Sequence, residues 1–246
     1  MKISVVTVVF NRVETILQSV MSIQSQSWTD VEHVVVDGAS TDGTLVVLRD
    51  LLTANAVFVS EPDKGIYDAL NKGYALATGD IVGVMHSDDF YANESVLEMI
   101  AEAFEDSTVD AVYGDLDYVS NDDLTHVVRH WESGEYSSAK LGRGWMPPHP
   151  TLYLRRSVIE RLGLYDTRFD ISADYELILR YFVTGKLKSV YIPQVLVKMR
   201  LGGVSNRSLS DIWNKSKEDY IALRRHGVGG VTSLALKNFR KVKQFF

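Results

Sequence analysis

The chain of 246 residues contains no cysteine. It therefore has neither a disulfide nor a thiolate metal site, and its redox compartment cannot be inferred from its composition. It also lacks a run of about 18 apolar residues, which a membrane-spanning helix requires. The N-terminal residues start a strand pattern at once, without the longer apolar region and cleavage site of a signal peptide, so we expect a cytoplasmic protein.

Positive charge is scarce as well. The sequence has 26 Lys and Arg against 32 Asp and Glu, which gives a formal net charge of −6. A nucleic-acid-binding protein needs a large basic surface, so this balance argues against one. Apolar residues make up 46% and charged residues 24% of the chain, as in an ordinary soluble globular protein with an extensive core.

The apolar pattern of the first half alternates between strand and helix. Nearly continuous apolar runs predict buried strands at 3–9, 31–36, 57–59 and 81–85, each followed by apolar residues at helical spacing. This alternation predicts an α/β fold with a mostly parallel sheet and helices on both faces. After about residue 110 the pattern predicts a two-strand excursion at 117–131, a long functional or mobile loop at 134–150, a hairpin at 190–199 across Pro193-Gln194 and a long helix at 209–223.

Acidic residues follow three of the predicted strands. Asp37, Asp63 and the pair Asp88-Asp89 each come at or near a strand end. The carboxyl ends of parallel strands meet at one edge of the sheet, where open α/β sheets bind ligands. Adjacent carboxylates repel unless a cation or hydrogen-bond donors compensate, and a divalent metal completed by phosphate oxygens is one such compensation. The alternative for Asp88-Asp89 is a simple acidic cluster before a helix capped by Asn93.

Together these motifs resemble a specific enzyme family. The ordered set reads TVVFNR, VVVDGASTDGT, EPDKGIYDALNKG, HSDD and SADYEL. It resembles the inverting glycosyltransferases of family 2, over residues 1 to about 205, and is most similar to the bacterial branch that builds capsule, colanic-acid-type and O-antigen polysaccharides. The resemblance implies a GT-A (Rossmann-like) fold, with a mostly parallel central sheet, flanking helices, an acceptor-side subregion and C-terminal helices. We expect a nucleotide-sugar-binding half at 1–114, an acceptor and catalytic-base half at 115–205, and a helical extension at 206–246.

The resemblance also implies a donor site. Its members would be Thr7, Phe10, Asn11, Arg12, Asp37, Asp63, Lys64, Asn71, Ser87, Asp88 and Asp89. Phe10 would lie against the base, Asp37 would accept a hydrogen bond from the imide N–H of uracil or thymine, and Lys64 would lie near phosphate. The structural alternatives are strand core for Phe10, a turn for Asp63-Lys64 and a solvated helix face for Asn71.

The segment His86-Ser87-Asp88-Asp89 stands where the family has its DxD-type metal motif, with His86 replacing the first acid. The resemblance implies that Asp88 or Asp89 holds Mn²⁺ or Mg²⁺ against the donor diphosphate, and we favour Asp88. The other carboxylate would face the ribose or the second shell of the metal. His86 is either a third ligand or a structural, hydrogen-bonded histidine.

Asp174 matches the catalytic base of the family, although the more usual Glu-Asp pair is Ala173-Asp174 here. A sugar hydroxyl is a poor nucleophile, and a carboxylate within hydrogen-bond reach can take its proton during attack on the anomeric carbon. A metal that neutralises the departing diphosphate makes a separate acid unnecessary. The alternative is that Asp174 only stabilises the start of its helix.

On the acceptor side we expect Trp145, His149 and Arg200, the last closing over the diphosphate with the segment 202–205. A buried tryptophan, a structural turn histidine and a simple β-turn are the corresponding alternatives. The C-terminal tail carries Lys237, Arg240, Lys241 and Lys243 without an acid, which suits either an interfacial helix or a solvated one.

The predicted activity is transfer of a sugar from a nucleotide sugar, with UDP favoured, to a hydroxyl of a glycan acceptor linked to polyprenyl diphosphate at the inner leaflet, in surface polysaccharide biosynthesis. We keep two alternatives, a sugar nucleotidyltransferase and a non-catalytic nucleotide-sugar-binding subunit. The former should carry a glycine-rich N-terminal loop with a nearby arginine, which is not seen, and the latter is motivated by His86 in place of an acid. A homodimer is left open.

Overall fold

The structure, a computed structural model, describes residues 1–201 and 209–242. Its first half runs β1 (Ile3–Val9), α1 (Ile16–Gln24), β2 (Val31–Asp37), α2 (Thr44–Leu51), β3 (Val57–Ser60), α3 (Ile66–Leu76), β4 (Ile81–Val84), β5 (Phe90–Tyr91) and α4 (Val96–Ala103). The second half runs β6 (Ala111–Val119), β7 (Val127–Trp131), α5 (Ser138–Leu141), β8 (Tyr153–Arg155), α6 (Arg156–Leu162), α7 (Ala173–Leu179), β9 (Ser189–Arg200), α8 (Leu209–Arg225) and α9 (Val231–Val242). The predicted alternation of strand and helix in the first half is confirmed, as is the two-strand excursion, which forms β6 and β7.

The nine strands within residues 1–201 and 209–242 form one sheet, in the order β3-β2-β1-β4-β8-β6-β9-β5, with β7 paired to β6. The pairs β2–β3, β1–β2 and β1–β4 are parallel, as predicted. The sheet as a whole is mixed, because β8 enters antiparallel between β4 and β6. In the parallel part Val9 pairs with Asp37, and Asp37 pairs with Ser60, so the three strands end side by side. This common edge carries the predicted donor site.

The hairpin predicted in the second half is wrong. Residues 190–199 form one strand with Gln194 inside it, because β9 pairs with β6 along its length. The register shifts where Asp115 pairs with Val195, and Pro193, which has no N–H to donate, lies in that irregular stretch. The segment 134–150 is irregular outside the short α5 and a 3-10 turn that begins at His149, as predicted, and it packs against the core through Leu141 and Trp145, both buried.

The hydrophobic core lies on both faces of the sheet. On one face Val6 and Val8 of β1 join Leu70 of α3 in a large cluster. On the other face Ile3 and Val5 join a second cluster with α4. Every residue of β1 is buried, which explains why its sequence is a continuous apolar run instead of an alternating one.

The C-terminal helices are part of the same core. Ala222 and Leu223 of α8 are buried in the cluster that contains Leu177 and Ile178 of α7. The expected boundary between residues 114 and 115 lies inside β6, and the one at 205 falls outside the described residues. Within 1–201 and 209–242, no helix combines the length and the apolar character needed to cross a membrane.

Candidate active site

The expected base-binding end lies where β1, β2 and β3 finish. Phe10 follows β1 and is more than half exposed. A Cβ atom on Gly38 would lie 2.4 Å from Asp63 Oδ2 and 3.3 Å from Phe10 Cδ2, so these three residues are in close contact. Asn11 has a left-handed φ of 52°, and its Oδ1 accepts a hydrogen bond from the backbone N–H of Thr41 at 2.8 Å. The loop after β1 is thereby fixed to the loop after β2, with an aromatic face left accessible.

Asp37 is buried beneath this surface with half of its carboxylate unpaired. Its Oδ2 accepts hydrogen bonds from Ser40 N–H at 3.0 Å and from the Ser60 hydroxyl at 2.7 Å. Its Oδ1 is buried without a partner. Buried acceptors normally have a donor, so this orphan atom fits a group supplied by a ligand.

The remaining donor-side residues divide into those that reach the edge and those that do not. Lys64 is exposed, and Arg12 places its Nε 3.9 Å from Asp88 Oδ2. Thr7 is fully buried inside β1, where its hydroxyl lies 3.0 Å from His33 Nε2, so the expectation that it lines the pocket is wrong.

Asn71 is likewise used inside the fold. Its amide N–H donates to the Tyr165 carbonyl at 3.0 Å, and its Oδ1 accepts from Tyr165 N–H at 2.9 Å. A side chain paired twice with one backbone residue has little capacity left for a nucleotide, which corrects the expectation that Asn71 completes the donor site.

The metal motif has one accessible carboxylate. Asp88 is partly exposed, whereas Asp89 is buried, as is Ser87. Burial, followed by the negative charge of Asp88, raises the pKa of Asp89 well above its ordinary value, and the backbone N–H and the charge of Arg200 offset part of this. Within the described ranges no three His, Cys, Asp or Glu side chains gather as a ready-made metal site. Asp88 alone therefore fits an ion whose other ligands are phosphate oxygens and water.

Asp174 lies in the first turn of α7, across from this motif. The Tyr67 hydroxyl lies 3.3 Å from Asp174 Oδ1 and donates to the Ile171 carbonyl at 2.6 Å. Burial lowers the pKa of His86, and the negative charges of Asp88 and Asp174 both oppose that shift, so His86 lies near both carboxylates. Asp88 and Asp174 are therefore both within electrostatic reach of His86, which brings the two predicted carboxylates to the same part of the molecule.

His149 lies next to His86. The two imidazole rings have centroids 5.8 Å apart, and His149 Nε2 lies 2.6 Å from the Tyr165 hydroxyl. Burial lowers the pKa of His149 to about 4, a shift that the charge of Asp174 opposes. The neutral, buried His149 is therefore suited to pack against His86 and to hydrogen-bond to Tyr165.

Two other expected acceptor residues are drawn into the fold. Trp145 is buried, and its indole N–H donates to the Ser133 carbonyl at 2.7 Å, so it offers no free face to a sugar and that expectation is wrong. The Arg200 guanidinium hydrogen-bonds to Gln18 and lies 5.8 Å from the Phe90 ring centroid, so it binds the first half of the chain instead of lining an open acceptor surface. The segment 202–205 lies outside the described residues.

Sequence reasoning missed Tyr67 and the C-terminal contribution to this region. Tyr67 lies within the motif EPDKGIYDALNKG, but helical spacing gave no sign that its hydroxyl reaches Asp174. Glu218 of α8 accepts three backbone N–H groups just before α7, and no local pattern predicts that contact.

The region therefore combines an aromatic face, an orphan acceptor, an accessible carboxylate beside Arg12 and a second carboxylate within electrostatic reach of His86. Comparison with known proteins identifies the family and the fold. The model of the family described as Glycosyl transferase family 2 matches residues 4–169. An uncharacterized glycosyltransferase of Mycobacterium tuberculosis is 31% identical over 232 residues, which cover 93% of this chain and 86% of that protein.

Solved structures share the fold. S. aureus TarS 1-349 in complex with UDP-GlcNAc superposes with a TM-score of 0.67 at 18% identity, over 93% of this chain and 66% of that one. A longer TarS chain is spanned to only 40%. The mannosyltransferase PcManGT from Pyrobaculum calidifontis, in complex with GDP-Man and Mn²⁺, gives a TM-score of 0.65 at 22% identity, over 98% of this chain and 69% of that one. The fold is thus of the GT-A type, and the match of sequence and fold shows that the chain belongs to glycosyl transferase family 2.

Proposed function

We propose that this glycosyltransferase is a metal-dependent, inverting enzyme that moves a sugar from a UDP-sugar to a hydroxyl of a glycan acceptor. The observation that carries the proposal is the pair of carboxylates, Asp88 beside Arg12 and Asp174, that both lie within electrostatic reach of His86. Asp88 is suited to the diphosphate side of the reaction, and Asp174 is suited to the attacking hydroxyl.

The preference for uracil rests on Asp37. Its orphan Oδ1 can accept a hydrogen bond from the imide N–H of the base, while the exposed ring of Phe10 lies beside it. TarS was solved with UDP-GlcNAc, which agrees with this assignment, whereas PcManGT was solved with GDP-Man, so guanine is the competing base. Calorimetry with UDP, GDP and dTDP in the presence of Mn²⁺ distinguishes them, and tighter binding of GDP would refute the assignment.

Arg12 and Asp88 would face the diphosphate. When bound, a Mn²⁺ or Mg²⁺ ion held by Asp88 would neutralise the charge that develops on the departing diphosphate. Arg12 adds a fixed positive charge 3.9 Å from Asp88, on the same side of the cleft. Asp89 would support Asp88 without binding the ion directly, because the oxygens of Asp89 are buried.

Asp174 would take the proton from the acceptor hydroxyl. The hydroxyl oxygen then forms its bond to the anomeric carbon as the bond from that carbon to the diphosphate breaks, which inverts the carbon. The Tyr67 hydroxyl lies 3.3 Å from Asp174 Oδ1, which leaves the other carboxylate oxygen for the substrate.

The test is turnover of UDP-sugars by Asp174→Asn, whose isosteric amide cannot accept the proton. We expect turnover to fall by roughly 1,000-fold or more, with UDP affinity unchanged. The exposed carboxylate variant Asp106→Asn is the control. Unchanged turnover in Asp174→Asn would remove Asp174 from the mechanism. Tight UDP-sugar binding by the wild-type protein with no turnover on any lipid-linked acceptor would instead favour a non-catalytic binding subunit, and diphosphate release from a nucleoside triphosphate would favour a nucleotidyltransferase.

We further propose that the acceptor is linked to polyprenyl diphosphate and is used for bacterial surface polysaccharides, at the inner face of the cytoplasmic membrane. Trp213, Val231 and Phe239 on the two C-terminal helices are 74%, 71% and 72% exposed, as membrane-facing side chains would be. Lys237 does not contribute, because it is buried, which corrects its expected role in a basic tail.

Sedimentation with phosphatidylglycerol vesicles tests this placement. Binding that is lost in Trp213→Ser/Phe239→Ser, and weak on phosphatidylcholine, would support it. Absence of binding to either vesicle would refute it, and a dimer in size-exclusion chromatography that the same variant dissociates would assign this surface to a second copy of the chain.

A further inference from the structure

One carboxylate of the C-terminal helices binds the backbone that leads into α7. Glu218 of α8 accepts hydrogen bonds from three consecutive N–H groups. Its Oε1 lies 3.0 Å from Asp170 N, and its Oε2 lies 2.9 Å from Ile171 N and 2.8 Å from Ser172 N. Hydrogen bonds from N–H groups to a charged acceptor are roughly twice as strong as neutral ones, so Glu218 fixes this segment firmly.

The segment 170–172, which Glu218 holds, leads directly into Asp174. Asp174 follows Ser172 by two residues, and the Ile171 carbonyl accepts the hydroxyl of Tyr67, which also lies 3.3 Å from Asp174 Oδ1. The same backbone residue is therefore held on its N–H side by α8 and on its carbonyl side by α3.

The helix that supplies Glu218 is itself well anchored. The next residue, Asp219, is buried and forms an ion pair with Lys237 of α9 at 2.7 Å. One turn further, Ala222 and Leu223 are buried against α7. Glu218 therefore extends from a helix that is fixed in the core, so its carboxylate holds the segment 170–172 in a defined position.

We propose that Glu218 is a positioning residue for Asp174. The inference rests on the proposed function, because it assigns a purpose to the clamp only if Asp174 takes the proton. A catalytic group displaced by about 1 Å can lose on the order of 100-fold in rate, which is the size of the effect expected from an unclamped segment.

The experiment is a double-mutant cycle on turnover under donor saturation. Glu218→Ala removes all three acceptor contacts, and Glu218→Gln keeps one oxygen and retains the size of the side chain. Each is made alone and together with Asp174→Asn. Glu160→Gln, which removes an exposed carboxylate paired only with Arg156, is the matched control. Amide hydrogen exchange at 170–172 provides a readout that is independent of activity.

We expect Glu218→Ala to lower kcat about 100-fold and Glu218→Gln to lower it less, with KM for the donor within about twofold of wild type. In the Asp174→Asn background the same substitutions should lower kcat by no more than about twofold, since they act through a group already removed. The amides at 170–172 should exchange faster while the global unfolding midpoint of Glu218→Gln stays close to that of Glu160→Gln.

An equal loss of kcat in both backgrounds would overturn the inference, because it would show a general structural effect. An unchanged kcat in Glu218→Ala, or unaltered exchange at 170–172, would overturn it while leaving the proposed function intact, provided that Asp174→Asn is inactive. Full turnover in Asp174→Asn alone would overturn the proposed function and the inference together.

Discussion

Removal of the buried Lys237 ammonium should destabilise the protein strongly. The side chains of Lys237 and Asp219 are 5% and 3% exposed, and their charged atoms are 2.7 Å apart. The ammonium also lies 3.2 Å from the ring centroid of Tyr175 in α7. Lys237→Met keeps the length of the side chain but leaves Asp219 buried and unpaired, which costs about 3–5 kcal/mol. For a chain of this size the melting temperature should fall by roughly 10 °C.

Urea unfolding followed by tryptophan fluorescence measures this loss. The control is Lys188→Met, which breaks a Lys–Asp pair with Asp106 of similar geometry, at 2.8 Å, but with side chains 56% and 52% exposed. An exposed pair contributes about 0–1 kcal/mol, so that variant should stay close to wild type. Replacement of both buried partners, in Lys237→Met/Asp219→Leu, should restore most of the stability. Equal destabilisation by Lys237→Met and Lys188→Met would refute the reasoning.

Three further predictions follow from single residues. Asp88→Asn should weaken Mn²⁺-dependent UDP binding at least ~10-fold in calorimetry, and Asp89→Asn clearly less, because only Asp88 is accessible; equal losses would contradict this. Burial lowers the pKa of His33 to about 4 in the folded protein. Between pH 6.5 and pH 4 the His33 ring therefore binds a proton in the unfolded chain but not in the folded one. Unfolding free energy should then fall by about 3 kcal/mol towards pH 4, and the fall should be smaller in His33→Gln. Gly144 and Gly227 have φ of 76° and 65°, but a Cβ meets the α9 backbone at 2.4 Å only at Gly144, so Gly144→Ala should lower the melting temperature more than Gly227→Ala.

The strands and helices of the first half could be predicted because the sequence patterns that indicate them are local. A strand buried on both faces reads as an unbroken apolar run, as in β1, and parallel strands bring their carboxyl ends to one edge. Asp37 and Asp88 therefore come to this edge because Asp37 ends β2 and Asp88 follows β4. Phe10 is exposed at the same edge because it is the first residue after β1.

The errors have a common physical cause, which is pairing between residues far apart in sequence. The sequence predicts Thr7 to be a pocket residue, but its hydroxyl hydrogen-bonds to His33 on the neighbouring strand. Asn71 reads like a solvated residue or a nucleotide ligand, but its partner is the backbone of Tyr165, 94 positions away. Trp145 lies among glycines and prolines, which indicate a loop, yet it packs against the core. Single-sequence patterns do not contain these partners.

The C-terminal helices show how far this limitation extends. The family model ends at residue 169, before Asp174, whose carboxylate nevertheless lies within electrostatic reach of His86, as Asp88 does. Tyr67 from the donor half binds the segment before α7 on one side, and Glu218 from α8 binds it on the other. The helices that read as an appendage in the sequence therefore bind the backbone segment that leads into Asp174.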